Sequence, residues 1–335
     1  MIERIASFIQ KNYSYLVFFM VFLGIIAGLS APKLVQILKP LMLPLVSIMV
    51  WAMCVTIRFK ELVLVTKKVK QIVWGLFLNF AFLPVLCFSL AVTFLSHEPV
   101  WALGFILLGT VPCAGMNVVW TGLLKGDVPL ALILAASTMI LGIVTIPSLT
   151  ALLAGLYVEV SVIDMFRIIA IVLAIPLLFG IATRSLLEVR LGKNLARHLL
   201  IFPPISAITA MLLMFSMLAV NVALIPTNPA LILSLIIPPL VLFPVAFVGA
   251  YLICAKLLRF PIKETNAIVY SSGMKHLPLA MGIAFASFGS SAALPIAVSA
   301  GFQTVNASIF YRIFLGLGEN KAYKGLLTKL EEKSN

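Results

Sequence analysis

The sequence SSGMKHLP, residues 271–278, places a lysine and a histidine in the middle of an apolar stretch. That stretch, residues 266–288, is long enough to cross roughly 30 Å of membrane hydrocarbon as a helix. Ionisable side chains are costly inside a membrane, and where they occur they commonly bind a substrate or an ion. Lys275 and His276 are therefore the first candidates for a functional site.

The composition of the whole chain is that of an integral membrane protein. Its 335 residues are 62% hydrophobic and 10% charged, with a mean hydropathy of +1.17, whereas a soluble domain carries about 25% charged residues. The apolar stretches predict ten membrane-spanning helices, at residues 14–30, 34–57, 71–95, 99–123, 128–156, 163–183, 199–223, 229–255, 266–288 and 291–316. The expected fold class is all-α and integral to the membrane, with the lipid bilayer as a partner and no second soluble domain.

The basic residues predict the orientation of these spans. Nearly all of them lie in alternate connections, and these are Arg4, Lys11, Arg58, Lys60, Lys67, Lys68, Lys70, Lys125, Arg184, Arg190, Lys193, Arg197, Lys256, Arg259, Lys263, Arg312, Lys321, Lys324, Lys329 and Lys333. By the positive-inside rule, we expect a multi-pass protein of the cell membrane with both termini in the cytoplasm. The net charge of +13 then reflects topology rather than a nucleic-acid partner. A signal peptide over the first span is disfavoured, because its removal would disrupt the alternation.

Cysteine spacing and motif searches argue against several other classes. Cys54, Cys87, Cys113 and Cys254 lack CxxC spacing, so the sequence predicts neither a disulfide framework nor a metal site. The sequence has no HExxH, GxSxG or Walker A motif and no paired aspartates in its spans. We therefore expect no enzyme activity and no cofactor, and the sequence points to no required protein partner.

The chain contains an internal repeat at a shift of 158–160 residues. LPLVS at 43–47 recurs as FPPIS at 202–206, FLPV at 82–85 recurs as LFPV at 242–245, and AGMN at 114–117 recurs as SGMK at 272–275. An odd number of helices in each half inverts the second half relative to the first. We therefore predict a first five-helix repeat at 1–157, a second, inverted repeat at 158–317 and a short basic cytoplasmic tail at 318–335. Inverted repeats are typical of secondary transporters, which bind substrate and ions near the membrane midplane.

The third repeat anchor coincides with two weak points in the predicted helices. Residues 112–117 and 271–278 each combine glycine, polar side chains and a nearby proline inside a span. Glycine costs about 1 kcal/mol relative to alanine in a helix, and proline removes a hydrogen-bond donor. We therefore predict that the fourth and ninth helices are broken. Broken helices offer N–H groups to anions and carbonyl groups to cations.

The repeat plan, the GM dipeptide at each predicted break and the LKGD turn at 124–127 resemble the bile acid:sodium symporter family, in the superfamily that also contains arsenite permeases. The resemblance covers nearly the whole chain. CAGMNVVWTGLLKGD at 113–127 is closer to the arsenite permease pattern, whereas SSGMKHLPLAMGIA at 271–284 is similar to the G-M-Q segment of the bile acid branch. The resemblance implies a panel domain of helices 1, 2, 6 and 7 beside a core domain of helices 3–5 and 8–10. Helices 4 and 9 would cross in the core, and substrate would bind between the domains.

The resemblance also implies a sodium site, from which this sequence departs. In the bile acid branch, a glutamate and a glutamine four residues later help to bind sodium, and the matching positions here are Ser271 and Lys275. Three roles for Lys275 follow: a built-in cation in place of sodium, a proton carrier, or a direct contact to an anionic substrate. A purely structural lysine that reaches an interface or pairs with carbonyl groups is the alternative. Na⁺ and H⁺ are the candidate coupling ions.

The two predicted breaks define the candidate site residues. Those expected to bind substrate or ions are Cys113, Gly115, Met116, Asn117, Ser271, Ser272, Gly273, Met274, Lys275 and His276. Secondary candidates are Asn79, Ser137, Thr138, Gln303 and Asn306. His276 is either a relay group for Lys275 or a neutral histidine bonded to a carbonyl group.

The expected function is secondary active transport of a small organic anion, a carboxylate or a sulfonate, by alternating access. One alternative is efflux of arsenite or antimonite through Cys113, because a thiolate suits trivalent arsenic, although membrane cysteines also serve as packing residues. The other alternative is a membrane sensor that does not transport, and the lack of a long cytoplasmic domain in the sequence argues against it.

Overall fold

The computed structural model describes residues 12–56, 68–155, 157–192, 195–222 and 228–334. These residues form helices and short connections, and the one strand-like pairing among them is an isolated antiparallel bridge between Cys113 and Lys275. In chain order the helices are α1 Tyr13–Ser30, α2 Pro32–Thr56, α3 Val69–Phe94, α4 Pro99–Thr110, α5 Met116–Leu123, α6 Val128–Ala154, α7 Val162–Leu191, α8 Leu195–Leu199, α9 Phe202–Asn221, α10 Pro229–Leu257, α11 Ile262–Gly273, α12 Leu277–Phe288 and α13 Ser290–Ser334.

The helices have the length and the surface of membrane-spanning segments. Within the described ranges, 7 helices are long and apolar enough to cross a membrane, and α1, α4 and α12 are shorter apolar helices. Large apolar side chains are exposed on the outer surface; Val189 is 85% exposed and Leu152 is 70% exposed. Such a surface is suited to lipid rather than to water. The chain is a multi-pass membrane protein.

Most helix ends lie within a few residues of the predicted span ends, and the clear differences are at α7 and α13. The helix α13 continues to Ser334, into the segment 318–335 that was predicted as a short basic tail. Arg184, predicted in a cytoplasmic connection, instead lies inside α7 and is 5% exposed. Its guanidinium donates to the carbonyl oxygens of Val55 at 3.1 Å and Thr56 at 3.3 Å, and to Glu188 Oε1 at 2.8 Å. The carbonyl groups of the last described residues of α2, together with a carboxylate one turn away, accept from this guanidinium and explain why an arginine is stable at this position.

Several basic residues that indicated the orientation lie outside the described residues, namely Arg4, Lys11, Arg58, Lys60, Lys67 and Lys193. The location of both termini in the cytoplasm therefore stays a prediction. The division into two inverted repeats, at 1–157 and 158–317, stays a prediction as well.

Two interruptions of the helices face each other inside the protein. We call residues 111–115, between α4 and α5, the first break, and residues 274–276, between α11 and α12, the second break. The backbone is extended at Val111 (φ −69°, ψ 157°) and at Met274 (φ −110°, ψ 91°). The breaks run antiparallel: Ala114 N donates to Met274 O at 2.7 Å, and His276 N donates to Pro112 O at 3.0 Å. Each break thus supplies partners for backbone groups of the other, as is required at membrane depth.

The helices pack in two groups. In one group α2 packs against α1, α7 and α9; in the other, α4 packs against α3, α6 and α13, while α10 packs against α11 and α13. Gly104 allows α4 and α13 to approach closely, because a Cβ atom at this position would lie 1.9 Å from Ala292 O. The two groups meet where α9 contacts α13 and where α12 contacts α2.

Candidate functional site

A cavity of about 310 Å³ lies between the two helix groups. One wall is formed by α2 and α9, and the other by the two breaks together with α13. The lining is mainly apolar and includes the methionines Met49, Met53, Met116, Met214 and Met274. The polar residues in the lining are Thr56, Ser206, Lys275, His276, Gln303 and Thr304. An apolar cavity with a few polar groups is the usual form of a small-molecule site.

Two helices begin at the wall of this cavity. α5 starts at Met116 and α12 starts at Leu277, and the lining includes residues on both sides of each start. The first N–H groups of a helix have no partner within the helix, and the N-terminal end carries a partial positive charge. Asn117 N, Val118 N and Leu277 N already donate to backbone carbonyl groups. What favours an anionic group at this wall is therefore the partial positive charge of the two helix ends.

Lys275 lies in the second break and is 2% exposed. Gln303 holds its backbone: Lys275 N donates to Gln303 Oε1 at 2.8 Å, and Gln303 Nε2 donates to Lys275 O at 3.0 Å. The ammonium donates to Asn79 O at 2.9 Å, Asn79 Oδ1 at 3.3 Å and Val111 O at 2.9 Å. Neither Asn79 nor Val111 lines the cavity. The ammonium therefore points away from any substrate held there.

The carbonyl groups that accept from this ammonium are left unpaired by their own helices. In a π-helical turn of α3, Leu83 N donates to Leu78 O. The next donor in this pattern would be residue 84, but Pro84 has no N–H, so Asn79 O lacks a backbone partner. Val111 O is free because α4 ends just before it. A proline and a helix end thus create two of the three acceptors.

Four of the candidates from the sequence meet behind the breaks. Asn117 Nδ2 donates to Ser271 Oγ at 2.8 Å and lies 3.5 Å from Cys113 Sγ. Cys113 Sγ in turn lies 3.3 Å from Thr138 Oγ1. All four side chains are buried, and Asn117 Oδ1 has no hydrogen-bond partner. Because a buried unpaired acceptor costs about 1–3 kcal/mol, this cluster offers an oxygen atom to a further ligand.

His276 contributes a ring nitrogen without a partner to the cavity lining. The residue is 5% exposed, and its Nδ1 has no hydrogen-bond partner. Whether His276 is a relay group for Lys275 or a neutral histidine bonded to a carbonyl group stays a prediction. The unpaired Nδ1 is the atom of this ring that could accept a hydrogen bond from a ligand or donate one to it.

The structure brings only part of the predicted set to the cavity. The predicted residues that line it are Gly115, Met116, Met274, Lys275, His276 and Gln303. The predicted residues that do not line it are Asn79, Cys113, Asn117, Ser137, Thr138, Ser271, Ser272, Gly273 and Asn306. Ser272 Oγ and Asn306 Nδ2 donate to carbonyl groups one turn back in their own helices. The structure thus shows each of them bonded within its own helix, and a role in binding stays a prediction.

Sequence reasoning missed the wall formed by α2 and α9. Residues such as Met53, Ser206 and Met214 line the cavity from this side, and no break or charge marks them in the sequence. One signal was present: the repeat anchor FPPIS supplies Pro203 and Pro204 as well as Ser206. The anchors of the repeat thus indicated both walls, although only the anchor with polar residues was interpreted as a site.

Comparison with known proteins identifies the family. A family model described as the Sodium Bile acid symporter family matches residues 43–228, which is more than half of the chain. The chain belongs to this family. The printed description of this family is that of symporters, a class of membrane transporter. The matched residues include the first break and the wall of α2 and α9, and they end before Lys275.

Two curated relatives are similar to this chain. The arsenical-resistance protein Acr3 of Alkaliphilus metalliredigens (strain QYMF) is 24% identical over 207 residues, and the match covers 58% of each chain. The uncharacterized sodium-dependent transporter YocS of Bacillus subtilis (strain 168) is 26% identical over 238 residues, which is 70% of each chain. The chain therefore spans less than two thirds of the first relative's length. The two identities are too similar to favour one relative over the other.

Proposed function

We propose that this member of the sodium bile acid symporter family transports a small organic anion, such as a carboxylate or a sulfonate, by secondary active transport. The observation that carries the proposal is the position of the cavity at the N-terminal ends of α5 and α12. Helix N-termini favour negative charge. The methionines of the lining suit the apolar body of the substrate, because their side chains adapt to its shape. A volume of about 310 Å³ limits the substrate to a small molecule.

The proposal includes an architecture of ten spans in two inverted five-helix repeats. In this architecture α1, α2, α7 and α9 form the panel, and the other long helices and the two broken ones form the core. Support comes from the packing of those four helices on one another and from the position of the cavity between the groups. Movement of the panel relative to the core would open the cavity to each side of the membrane in turn.

Sodium ions and protons are the candidate coupling ions for this transport. Asn117 Oδ1 is a buried oxygen without a partner, and the hydroxyl groups of Ser271 and Thr138 belong to the same cluster. Neutral oxygens of this kind would hold a single monovalent cation behind the breaks. The printed name of YocS, a sodium-dependent transporter, makes sodium the first ion to test.

Uptake by the purified protein in liposomes tests the function. A panel of carboxylates, sulfonates and arsenite is offered with an inward sodium gradient, with an inward proton gradient, or with neither. We expect uptake of at least one organic anion above that of protein-free liposomes. If correctly folded protein takes up no compound of the panel, the sensor interpretation is favoured and the transport proposal fails.

His276 allows a sharper prediction about the site. We expect His276→Ala to raise the KM for the anion about tenfold, which corresponds to the loss of one hydrogen bond to a charged group. His97→Ala is the matched control, because His97 is exposed and remote from the cavity lining. An unchanged KM in the His276 variant would remove this residue from the proposed site.

Arsenite efflux is the weaker candidate. Acr3 is named as an arsenical-resistance protein, but Cys113 is 0% exposed, lies against Thr138 and does not line the cavity. We therefore expect Cys113→Ala to leave uptake by the protein unchanged. Arsenite uptake that is lost in this variant would favour efflux over the organic-anion proposal.

A further inference from the structure

We propose that the ammonium of Lys275 occupies a monovalent-cation site formed by oxygen atoms of α3 and the first break, and that it acts there as a tethered cation. The inference goes beyond the proposed function, because it concerns this group of oxygens and holds for any substrate of the cavity.

The ammonium has the surroundings of a bound cation. A lysine ammonium has three donors and no acceptor, and here it meets the oxygens Asn79 O, Asn79 Oδ1 and Val111 O at 2.9, 3.3 and 2.9 Å. Membrane proteins use carbonyl oxygens in the same way to replace the water around an alkali cation. The ring of Phe80, whose centroid lies 5.9 Å from Nζ, adds a cation–π contact.

The acceptor oxygens do not depend on Lys275 for their availability. Asn79 O lacks a backbone partner because residue 84 is proline, and Val111 O lacks one because α4 has ended. Buried carbonyl groups without a partner are unfavourable. If the ammonium is removed, these oxygens therefore need another cation or donor.

The charge around the site favours a monovalent ion. Within the described parts of the chain, no Asp or Glu forms an ion pair with Lys275. Asp164 near the start of α7 is exposed and pairs with Arg167 instead. Divalent cations bind preferentially to carboxylates and to more ligands than three. A neutral set of three oxygens is better suited to an ammonium, a sodium or a potassium ion.

Attachment to the chain gives this cation a property that a free ion lacks. Lys275 belongs to the second break, whereas its acceptors belong to α3 and to the first break. The ammonium therefore joins three elements, and it cannot dissociate. The wild-type protein should accordingly need no free cation to hold these elements together.

Two substitutions of Lys275 test the proposal. Lys275→Ala removes the ammonium and leaves space beside the oxygens, whereas Lys275→Met removes the charge but fills most of that space. Thermal unfolding of the full-length protein in detergent is measured in sodium, potassium, ammonium and choline chloride at equal ionic strength. Choline is the control because it is too large for a site of three converging oxygens.

The expected result is specific to the alanine variant. In choline chloride it should unfold several degrees below the wild type, and at least one small cation should restore part of the loss in a saturable manner. In the methionine variant and the wild type, the cation effect should be smaller and limited to any ion that binds at the separate cluster of Asn117, Ser271 and Thr138. Because the measurement is unfolding, the result does not depend on whether the organic-anion proposal is correct.

Three outcomes would overturn the inference. One is an alanine variant as stable as the wild type in choline chloride, and another is a cation effect no larger in this variant than in the other two proteins. If the Lys275→Ala protein cannot be purified in folded form in any of the salts, Lys275→Gln is used in its place. The glutamine amide can donate to one of the three oxygens and leaves the others unpaired. The third outcome is that small cations do not raise the unfolding temperature of the glutamine variant, or that this variant also cannot be purified in folded form.

Discussion

At the scale of single residues, Gln303 fixes the backbone of the second break. Its amide bonds both to the N–H and to the carbonyl group of Lys275, so it replaces helix bonds that this residue lacks. Asn306 lies one turn later in the same helix and is equally buried, at 6% exposed, but it bonds to Phe302 O in its own helix. Two amides with the same burial therefore have different structural roles.

We expect Gln303→Leu to destabilise the protein more than Asn306→Leu. The first substitution leaves the buried N–H of Lys275 without a partner, at about 1–3 kcal/mol, while Lys275 O keeps Leu277 N as a donor at 2.9 Å. The second removes one bond within a helix, at about 1 kcal/mol. Unfolding of the two variants in detergent measures the difference. Equal losses would show that the amide of Gln303 does not support the break.

At the scale of elements, Gly104 sets the distance between α4 and α13. A Cβ atom at this position would lie 1.9 Å from Ala292 O, and backbone cannot yield as a flexible side chain does. Gly142 in α6 is different, because the nearest atoms to a Cβ there, Ile146 Cδ1 and Pro112 Cδ, lie at 3.5 Å. The same substitution at these two glycines should therefore have opposite effects.

We expect Gly104→Ala to cost about 1–3 kcal/mol or more through overpacking. Gly142→Ala should instead be neutral or stabilising by up to about 1 kcal/mol, since alanine is the better helix former. Thermal unfolding of both variants tests the pair. A Gly104 variant as stable as the wild type would mean that α4 and α13 do not need this close approach.

At the scale of the whole molecule, an ion-pair cluster joins three distant parts of the chain. Lys68 precedes α3 and pairs with Asp127, which caps α6, and with Glu264 in α11, whose Oε1 lies 3.1 Å from Nζ. Gln71 Nε2 donates to the same carboxylate, at Glu264 Oε2, at 2.7 Å. The hydrogen bond from Lys68 to Asp127 raises the pKa of Lys68 above its ordinary value of 10.5.

This shift predicts a stability difference that depends on pH. Because the pKa of Lys68 is higher in the folded state than in the unfolded state, its ion pairs contribute their full stabilisation below about pH 10.5, the unfolded-state pKa. This contribution is lost as the pH rises through the folded-state pKa. Lys68→Gln should therefore lower the melting temperature at pH 8, and its difference from the wild type should shrink above pH 10.5. Lys125→Gln, at an exposed lysine nearby, is the control. A difference that does not vary with pH would exclude an electrostatic origin.

Much of the helical fold could be predicted from the sequence, because membrane spans are marked by long apolar runs and the breaks by Gly115, Gly273 and their neighbouring prolines. Arg184 was misplaced for a physical reason. In the sequence it resembles a loop residue, whereas its acceptors Val55 and Thr56 belong to another helix and are brought to it only by the fold. Contacts distant in the chain leave no local pattern.

Site residues could be predicted only where a polar or charged side chain interrupts an apolar stretch of the sequence. Lys275 and His276 stand out in an apolar stretch, but Met53 and Met214 do not, because residues that line an apolar cavity resemble those that face lipid. The direction of the Lys275 side chain could not be predicted either. That direction depends on the free carbonyl groups of Asn79 and Val111, which lie on other elements.

Pro84 links two positions that would otherwise seem unrelated in a genetic experiment. It carries no charge and touches no ligand, yet its missing N–H leaves the Asn79 carbonyl group open to Lys275. An amino acid with an N–H at position 84 could serve that carbonyl group and so relax the demand for a donor at position 275. The two positions should therefore show epistasis, so that the effect of losing the lysine depends on whether the proline is present.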